Sequence, residues 1–228
     1  MTGNLLKLLQ LSDPTLPIGG FSHSAGLETY VQQQAVNNTE TVTAFVTEML
    51  SKNIHYTDAA LVSLAYDAAK ENNIYKIIEL DELCNAVKLP EEIRQSGYKM
   101  GRRLLKIFQP LQQSALINEF NEAVKTKKAT GHYCIVFGLA AAIMQIEKPE
   151  TLTGFYYNAA AGFVTNSVKL IPLSQQSGQE ILFAMHPLIN SLAVQNLNPD
   201  EELIGLCCAG FDIKSMQHER LYSRMYMS

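Results

Sequence analysis

The chain has 228 residues, 47% of them hydrophobic and 18% charged, and a formal net charge of −4. This is the composition of a packed globular protein, which excludes a disordered segment, and a length of this order carries one substantial domain with its own core. The 18 Lys and Arg are spread along the chain, without the clustered basic stripe that a nucleic-acid surface requires.

The periodic segment Leu5, Leu6, Leu8 and Leu9 predicts a short opening helix. No positively charged, small-residue-ended leader precedes it, so secretion is not expected. Asp13-Pro14 and Pro17-Ile18-Gly19-Gly20 forbid continued helix, because proline removes a donor and disfavours helical geometry in the residue before it; a rigid loop follows. Helix restarts near Ser24, whose hydroxyl can cap free amides, with Glu28 close to the positive end of the helix dipole. Asn37 followed by Glu40 resembles a capping box, and Val42, Phe45, Val46, Met49 and Leu50 then fall at amphipathic helical spacing.

Weaker periodicity marks 58–70, 74–86, 91–108, 113–127 and 132–146, with breaks at Asn72-Asn73, Pro90, Pro110 and Thr130-Gly131. The longest apolar run, Cys134 to Met144, is roughly half of the ~20 residues a membrane-spanning helix needs, and reads as a buried core helix. Pro149 suits the first turn of a helix whose stripe is Leu152, Phe155, Tyr156, Ala159 and Phe163, ending at Pro172. A further helix is expected over 174–196, and helical sequence continues to Phe211. No period-2 strand run appears, so the expected fold is all-α: a single bundle-like helical domain over 1–213, followed by a C-terminal tail, 214–228, that mixes apolar and basic side chains.

Ser22-His23-Ser24 supplies the residue types of a nucleophilic hydrolase, but neighbouring side chains on a turn diverge, no GxSxG elbow is present, and serines before a helix cap it. His218-Glu219 opens like HExxH, yet Tyr222 stands where the second histidine belongs, so a catalytic zinc site is not expected. His55 and Asp58 lie at helical i, i+3 spacing, which favours a surface hydrogen bond over a metal site. No GxxxxGK[ST] or GxGxxG segment exists, so the chain is not expected to hydrolyse GTP. In Gly97 to Arg103, GYKMGRR, the two glycines favour close helix contact with the arginines on solvent. Gly138 with Ala140 to Ala142, and Ala159 to Gly162, likewise allow helices to approach closely. Cys84, Cys134, Cys207 and Cys208 have no CxxC spacing; the first two read as small core hydrophobes, and a reducing cytoplasm fits this usage.

Three stretches carry a family resemblance. LSDPTLPIGGFSHSAGLE (Leu11 to Glu28), NSVKLIPLSQQSGQ (Asn166 to Gln179) and the ending HERLYSRMYMS (His218 to Ser228) are similar, in order and position, to motifs of the UreF family of urease accessory proteins. Ser174 and Tyr226 depart from the usual residues of those motifs. The resemblance implies an all-α homodimer that acts as a non-catalytic assembly factor. It would bind the UreD/UreH scaffold and the GTPase UreG and help deliver nickel to apo-urease, with nickel and GTP handled by the partners and no cofactor bound directly. Carried over by position, Glu28, Lys169, Arg220, Tyr222 and Ser223 are the candidate partner-binding residues. The tail is expected to be disordered in the free protein and to fold as a helix on its partner, with Leu221 and Met225, and Tyr222 and Tyr226, on its apolar face.

Overall fold

The structure is a computed structural model and describes residues 2–206 and 208–227; Met1, Cys207 and Ser228 lie outside them. All regular structure among the described residues is helical. In chain order the helices are α1 (Thr2–Leu11), α2 (Leu27–Gln32), α3 (Thr39–Glu48), α4 (Ala60–Lys70), α5 (Ile74–Val87), α6 (Glu91–Phe108), α7 (Ala115–Lys125), α8 (Tyr133–Ile143), α9 (Lys148–Leu170), α10 (Gln175–Ala184), α11 (His186–Gln195) and α12 (Ala209–His218). None is long and apolar enough to cross a membrane. The expected all-α class is thus the observed one.

The predicted core helix becomes α8, where every residue from Cys134 to Ala142 is buried. Two small residues let its neighbours approach. A Cβ on Gly138 would stand 2.5 Å from the Val62 carbonyl oxygen of α4, and a Cβ on Gly101 of α6 would collide with the backbone of Gly131 to Tyr133 at the start of α8. GYKMGRR is therefore a packing element, as read. Its arginines are exposed but not idle: Arg102 Nε donates to the Thr130 carbonyl at 2.8 Å, and Arg103 reaches a loop described below.

An apolar helix has no side chain with which to cap its own start, and His132 at the N-cap of α8 makes no side-chain cap bond. The cap comes from α5. The fully buried Asp81 carboxylate accepts from Thr130 N at 2.5 Å, Thr130 Oγ1 at 2.7 Å, Gly131 N at 3.0 Å and His132 N at 2.7 Å. One side chain satisfies the loose amides of the helix entry and places negative charge at the positive end of the dipole.

Several boundaries differ from the sequence reading. The N-cap of α3 is Asn38 rather than Asn37, and its reciprocal partner is Thr41 rather than Glu40: Thr41 N donates to Asn38 Oδ1 at 2.9 Å and Asn38 N to Thr41 Oγ1 at 3.1 Å. The gap expected between 50 and 58 is instead a π-helical segment, Met49–Ala59, joining α3 to α4 without a break. Its i→i+5 winding removes the 3.6-residue period that would betray a helix. It also turns His55 and Asp58 apart. His55 is buried, with Nδ1 2.9 Å from Tyr156 Oη, while Asn196 Nδ2 donates to Tyr156 Oη at 2.7 Å and to the His55 carbonyl at 3.0 Å. The surface bond expected for His55 is thus an interior network. The single helix expected over 174–196 is two, because Pro187 lacks the donor that would carry α10 into α11. Helix α12 runs through the expected boundary at Lys214.

Replacing Asp81 with Ala would strip four donors of one buried acceptor. The loss should be about 3–5 kcal/mol by urea denaturation, the range for breaking a buried charged network, with the m-value unchanged. A loss under ~1 kcal/mol would show that the cap is dispensable.

Candidate functional site

The loop between α1 and α2 is held from three sides. Asp13 Oδ1 accepts from Thr15 N at 2.8 Å and Thr15 Oγ1 at 2.7 Å, closing a local turn around Pro14. Arg103 Nη1 of α6 donates to the Ile18 carbonyl at 3.1 Å. Gly19 has φ +89°, and a side chain there would meet the Arg103 guanidinium head on, so glycine is required both by conformation and by space. Gly20–Ser22 then form one 3₁₀ turn with Ser22 Oγ donating to the Gly19 carbonyl at 2.7 Å, and Asn166 Nδ2 of α9 donates to the His23 carbonyl at 2.8 Å. The first and second motif stretches are joined by that last bond.

The third stretch is joined through Glu28, which the sequence reading turned toward a partner. It points inward instead and is only 4% exposed. Its Oε1 accepts from Met225 N at 2.8 Å, and its Oε2 accepts from Tyr226 N at 3.1 Å and lies 3.2 Å from His218 Nε2. The opposite ring nitrogen of His218, Nδ1, is 2.7 Å from Glu92 Oε2, and Arg224 Nη1 donates to Glu92 Oε1 at 2.6 Å. Gln32 Nε2 donates to the Ser223 carbonyl at 3.0 Å, Met227 N donates to the Ser22 carbonyl at 2.9 Å, and Lys214 Nζ bonds Gln33 Oε1.

These contacts correct the picture of a disordered tail. After His218 the chain leaves helical geometry and lies along α2 and the loop, so Tyr222 and Tyr226 do not share a face. Tyr226 is 7% exposed and Tyr222 stands wholly in solvent. A carboxylate that accepts two backbone amides attaches this segment more firmly than its apolar side chains alone would.

Of the remaining candidates, Arg220 and Ser223 are exposed, and Lys169 is exposed on the last turn of α9 at the edge of a cleft of about 230 Å³. The cleft lies under the loop. Ile18, Ile54, Met100 and Phe163 make its walls apolar, and an ion pair reaches it from inside, Lys88 Nζ to Asp58 Oδ2 at 2.7 Å with both side chains nearly buried. Burial pushes the Asp58 carboxyl up, but the Lys88 ammonium outweighs it and holds the group below its usual range. His23 also lines the cleft; burial, then Lys99 and Arg103, push its imidazole down, toward the neutral form.

The hydrolase alternative finds no support in these roles. Ser22 Oγ is committed to the Gly19 carbonyl, and Ser24 is fully buried with Oγ 3.5 Å from Glu28 N at the entry of α2. Among the described residues no group of three or more His, Cys, Asp and Glu is placed to hold a metal ion. The sequence reading missed Arg103, Glu92, His218 and Asn166 as structural members of the site. Each acts on a residue far away in the chain, and no spacing rule signals such a pair.

Substituting Ala for Glu28 should leave overall helicity intact while the amides of Met225 and Tyr226 exchange about ten- to a hundredfold faster, as the loss of charge-assisted bonds of about 1.5–3 kcal/mol requires. Unchanged protection at both amides would show that Glu28 does not hold the tail.

The comparisons with known proteins agree on one family. The sequence profile of the UreF family matches residues 36–186. The chain is similar to the urease accessory protein UreF of Actinobacillus pleuropneumoniae serotype 3 (strain JL03), at 48% identity over 99% of this chain and 100% of that protein. It is similar at 47% to that of Haemophilus influenzae (strain PittEE), covering 99% of this chain and 96% of that one. At 34% it is similar to that of Bacillus sp. (strain TB-90), covering 98% and 99%. The loop and the tail fall outside the profile match but inside all three full-length alignments, and the chain belongs to the UreF family of urease accessory proteins.

Proposed function

We propose that this chain is a non-catalytic assembly factor for urease that works as a homodimer in the cytoplasm, binds the UreD/UreH scaffold and recruits the GTPase UreG. In this reading nickel passes to apo-urease through the partners, GTP is hydrolysed by UreG, and the chain binds neither directly. The supporting observation is the convergence of the three motif stretches on one face. Phe21 of the loop and Tyr222, Met225 and Met227 of the tail are each more than half exposed there. The Met227 to Ser22 and Met225 to Glu28 bonds hold the backbones between them.

Several large apolar side chains exposed on one face suit the aromatic and Met-rich core of a protein interface. Because the backbone beneath them is already ordered, docking loses less conformational entropy than folding a free tail would. Arg220, Tyr222, Ser223 and Lys169 are the outward members of this surface. Glu28 contributes from below, by holding the surface in place.

Deleting 214–228 would cut α12 and expose Glu28, so point substitutions are the cleaner test. Tyr222→Ala with Met225→Ala should leave the melting temperature within about 2 °C and reduce capture of scaffold and GTPase by about tenfold or more in a pull-down with the urease operon products. Undiminished capture would remove this face from the interface. Lys169→Ala should likewise keep the melting temperature within about 2 °C, as for a surface change under ~0.5 kcal/mol, yet lower urease activation; normal activation would exclude Lys169.

A further inference from the structure

Behind the wall of the cleft lies a polar cluster that the docking face does not use. Lys88 and Tyr133 both line the cleft. Lys88 follows Cys84 by one helical turn at the end of α5, and Tyr133 directly precedes Cys134 on α8. The two sulfurs, both fully buried, are 3.5 Å apart.

A cysteine among apolar side chains is inert, whereas one in an electropositive setting is reactive. This pair has the second setting. The Lys88 ammonium, carried one helical turn after Cys84, acts electrostatically on both sulfurs, and the His132 ring has Nε2 3.4 Å from Asn85 Oδ1 while its buried Nδ1 makes no hydrogen bond. Burial pushes the Cys84 thiol up, but the hydrogen bond with Cys134 and the charge of Lys88 outweigh it and draw the thiol below its ordinary value. Burial and the neighbouring Cys84 push Cys134 well up instead. Because Lys88 ends the same helix as Cys84, one turn on, its charge favours Cys84 as the nucleophile and leaves Cys134, 3.5 Å away, as the protonated partner.

We propose that Cys84 and Cys134 form a redox-active dithiol, with Cys84 the attacking and Cys134 the resolving sulfur, that a hydroperoxide converts to an intramolecular disulfide. Cys84 attacks one peroxide oxygen as the thiolate, the O–O bond breaks, and the leaving hydroxide takes up a proton equivalent to the one the thiol gave up, giving a sulfenic acid and water. Cys134 then attacks the Cys84 sulfur, the S–O bond breaks, and the hydroxyl leaves with the Cys134 proton as a second water. The two sulfurs lose two electrons and the peroxide gains them. Closure needs the sulfurs to move from 3.5 Å to about 2.05 Å, which a small side-chain and helix adjustment supplies. Hydrogen peroxide is little larger than water, and the cleft brings it to the side chains adjacent to both sulfurs. The bond would draw α5 toward α8 and with them Lys88 and Tyr133, so the cleft itself would report the redox state.

The test uses the full chain with Cys207→Ser and Cys208→Ser, which removes the other two thiols. After stoichiometric hydrogen peroxide and denaturation without reductant, both remaining thiols should be lost to titration, a peptide joining Cys84 to Cys134 should appear, and dithiothreitol should restore both. With Cys134→Ala added, dimedone should trap a Cys84 sulfenic acid. With Cys84→Ala added instead, Cys134 should react about tenfold more slowly or less. Thiols that resist peroxide in the native protein and yield only after unfolding would overturn the proposal, and equal reactivity of the two single-cysteine variants would overturn the assignment of roles. Should the background substitutions disturb folding, peptide mapping of the unsubstituted chain decides by the presence or absence of the Cys84 to Cys134 link.

Discussion

Much of this molecule depends on one carboxylate at the start of its central helix. Helix α8 is buried from Cys134 to Ala142 and no side chain of its own caps its start; without Asp81 its entry would leave amides unsatisfied in the core. With the helix held there, α6 can cross it at Gly101 and α4 at Gly138. Helix α6 in turn carries Arg103 to the loop and Glu92 to the tail. The face formed by the loop and the tail is thus tied to the core through α6 and, at Asn166, through α9.

On the outside the same device recurs with Glu28. A short apolar tail would gain too little from burial to offset the ordering of its backbone. A carboxylate sunk beneath it changes that balance, since accepting two amides and facing a histidine satisfies its charge while fixing the segment. The exposed tyrosine and methionines of the tail thereby stand on an ordered backbone beside Phe21. What looks in sequence like three separate motifs is one surface, joined by the bonds from Asn166 to His23 and from Met227 to Ser22.

Beneath that surface the π-helical segment has a specific consequence. Its wider winding sends His55 into the network with Tyr156 and Asn196 and sends Asp58 the other way, to Lys88 at the cleft. A regular helix would have put both side chains on one face. The buried ion pair is oriented by two donors on one lysine and by Thr57 Oγ1 at 3.1 Å from Asp58.

The sequence by itself determined what rests on local physics. The helical class follows from 3.6-residue apolar periodicity, the loop from Pro14, Pro17 and the Gly19-Gly20 pair, the core helix from the run beginning at Cys134, and the close crossings from Gly101 and Gly138. Local signals failed where winding or capping departed from the common form, at the π-helical segment, at Asn38 and at Pro187. The family was legible because motif order survives in the linear chain. The direction of each motif side chain was not. Glu28 and Tyr222 both read as partner-facing, and only the tertiary structure separated them, because whether a side chain meets solvent or the amides of Met225 and Tyr226 is decided by segments nearly two hundred residues apart. The meeting of Cys84 with Cys134, and of Arg103 with the loop, was hidden for the same reason: spacing encodes neighbours within an element, and packing alone decides neighbours between them.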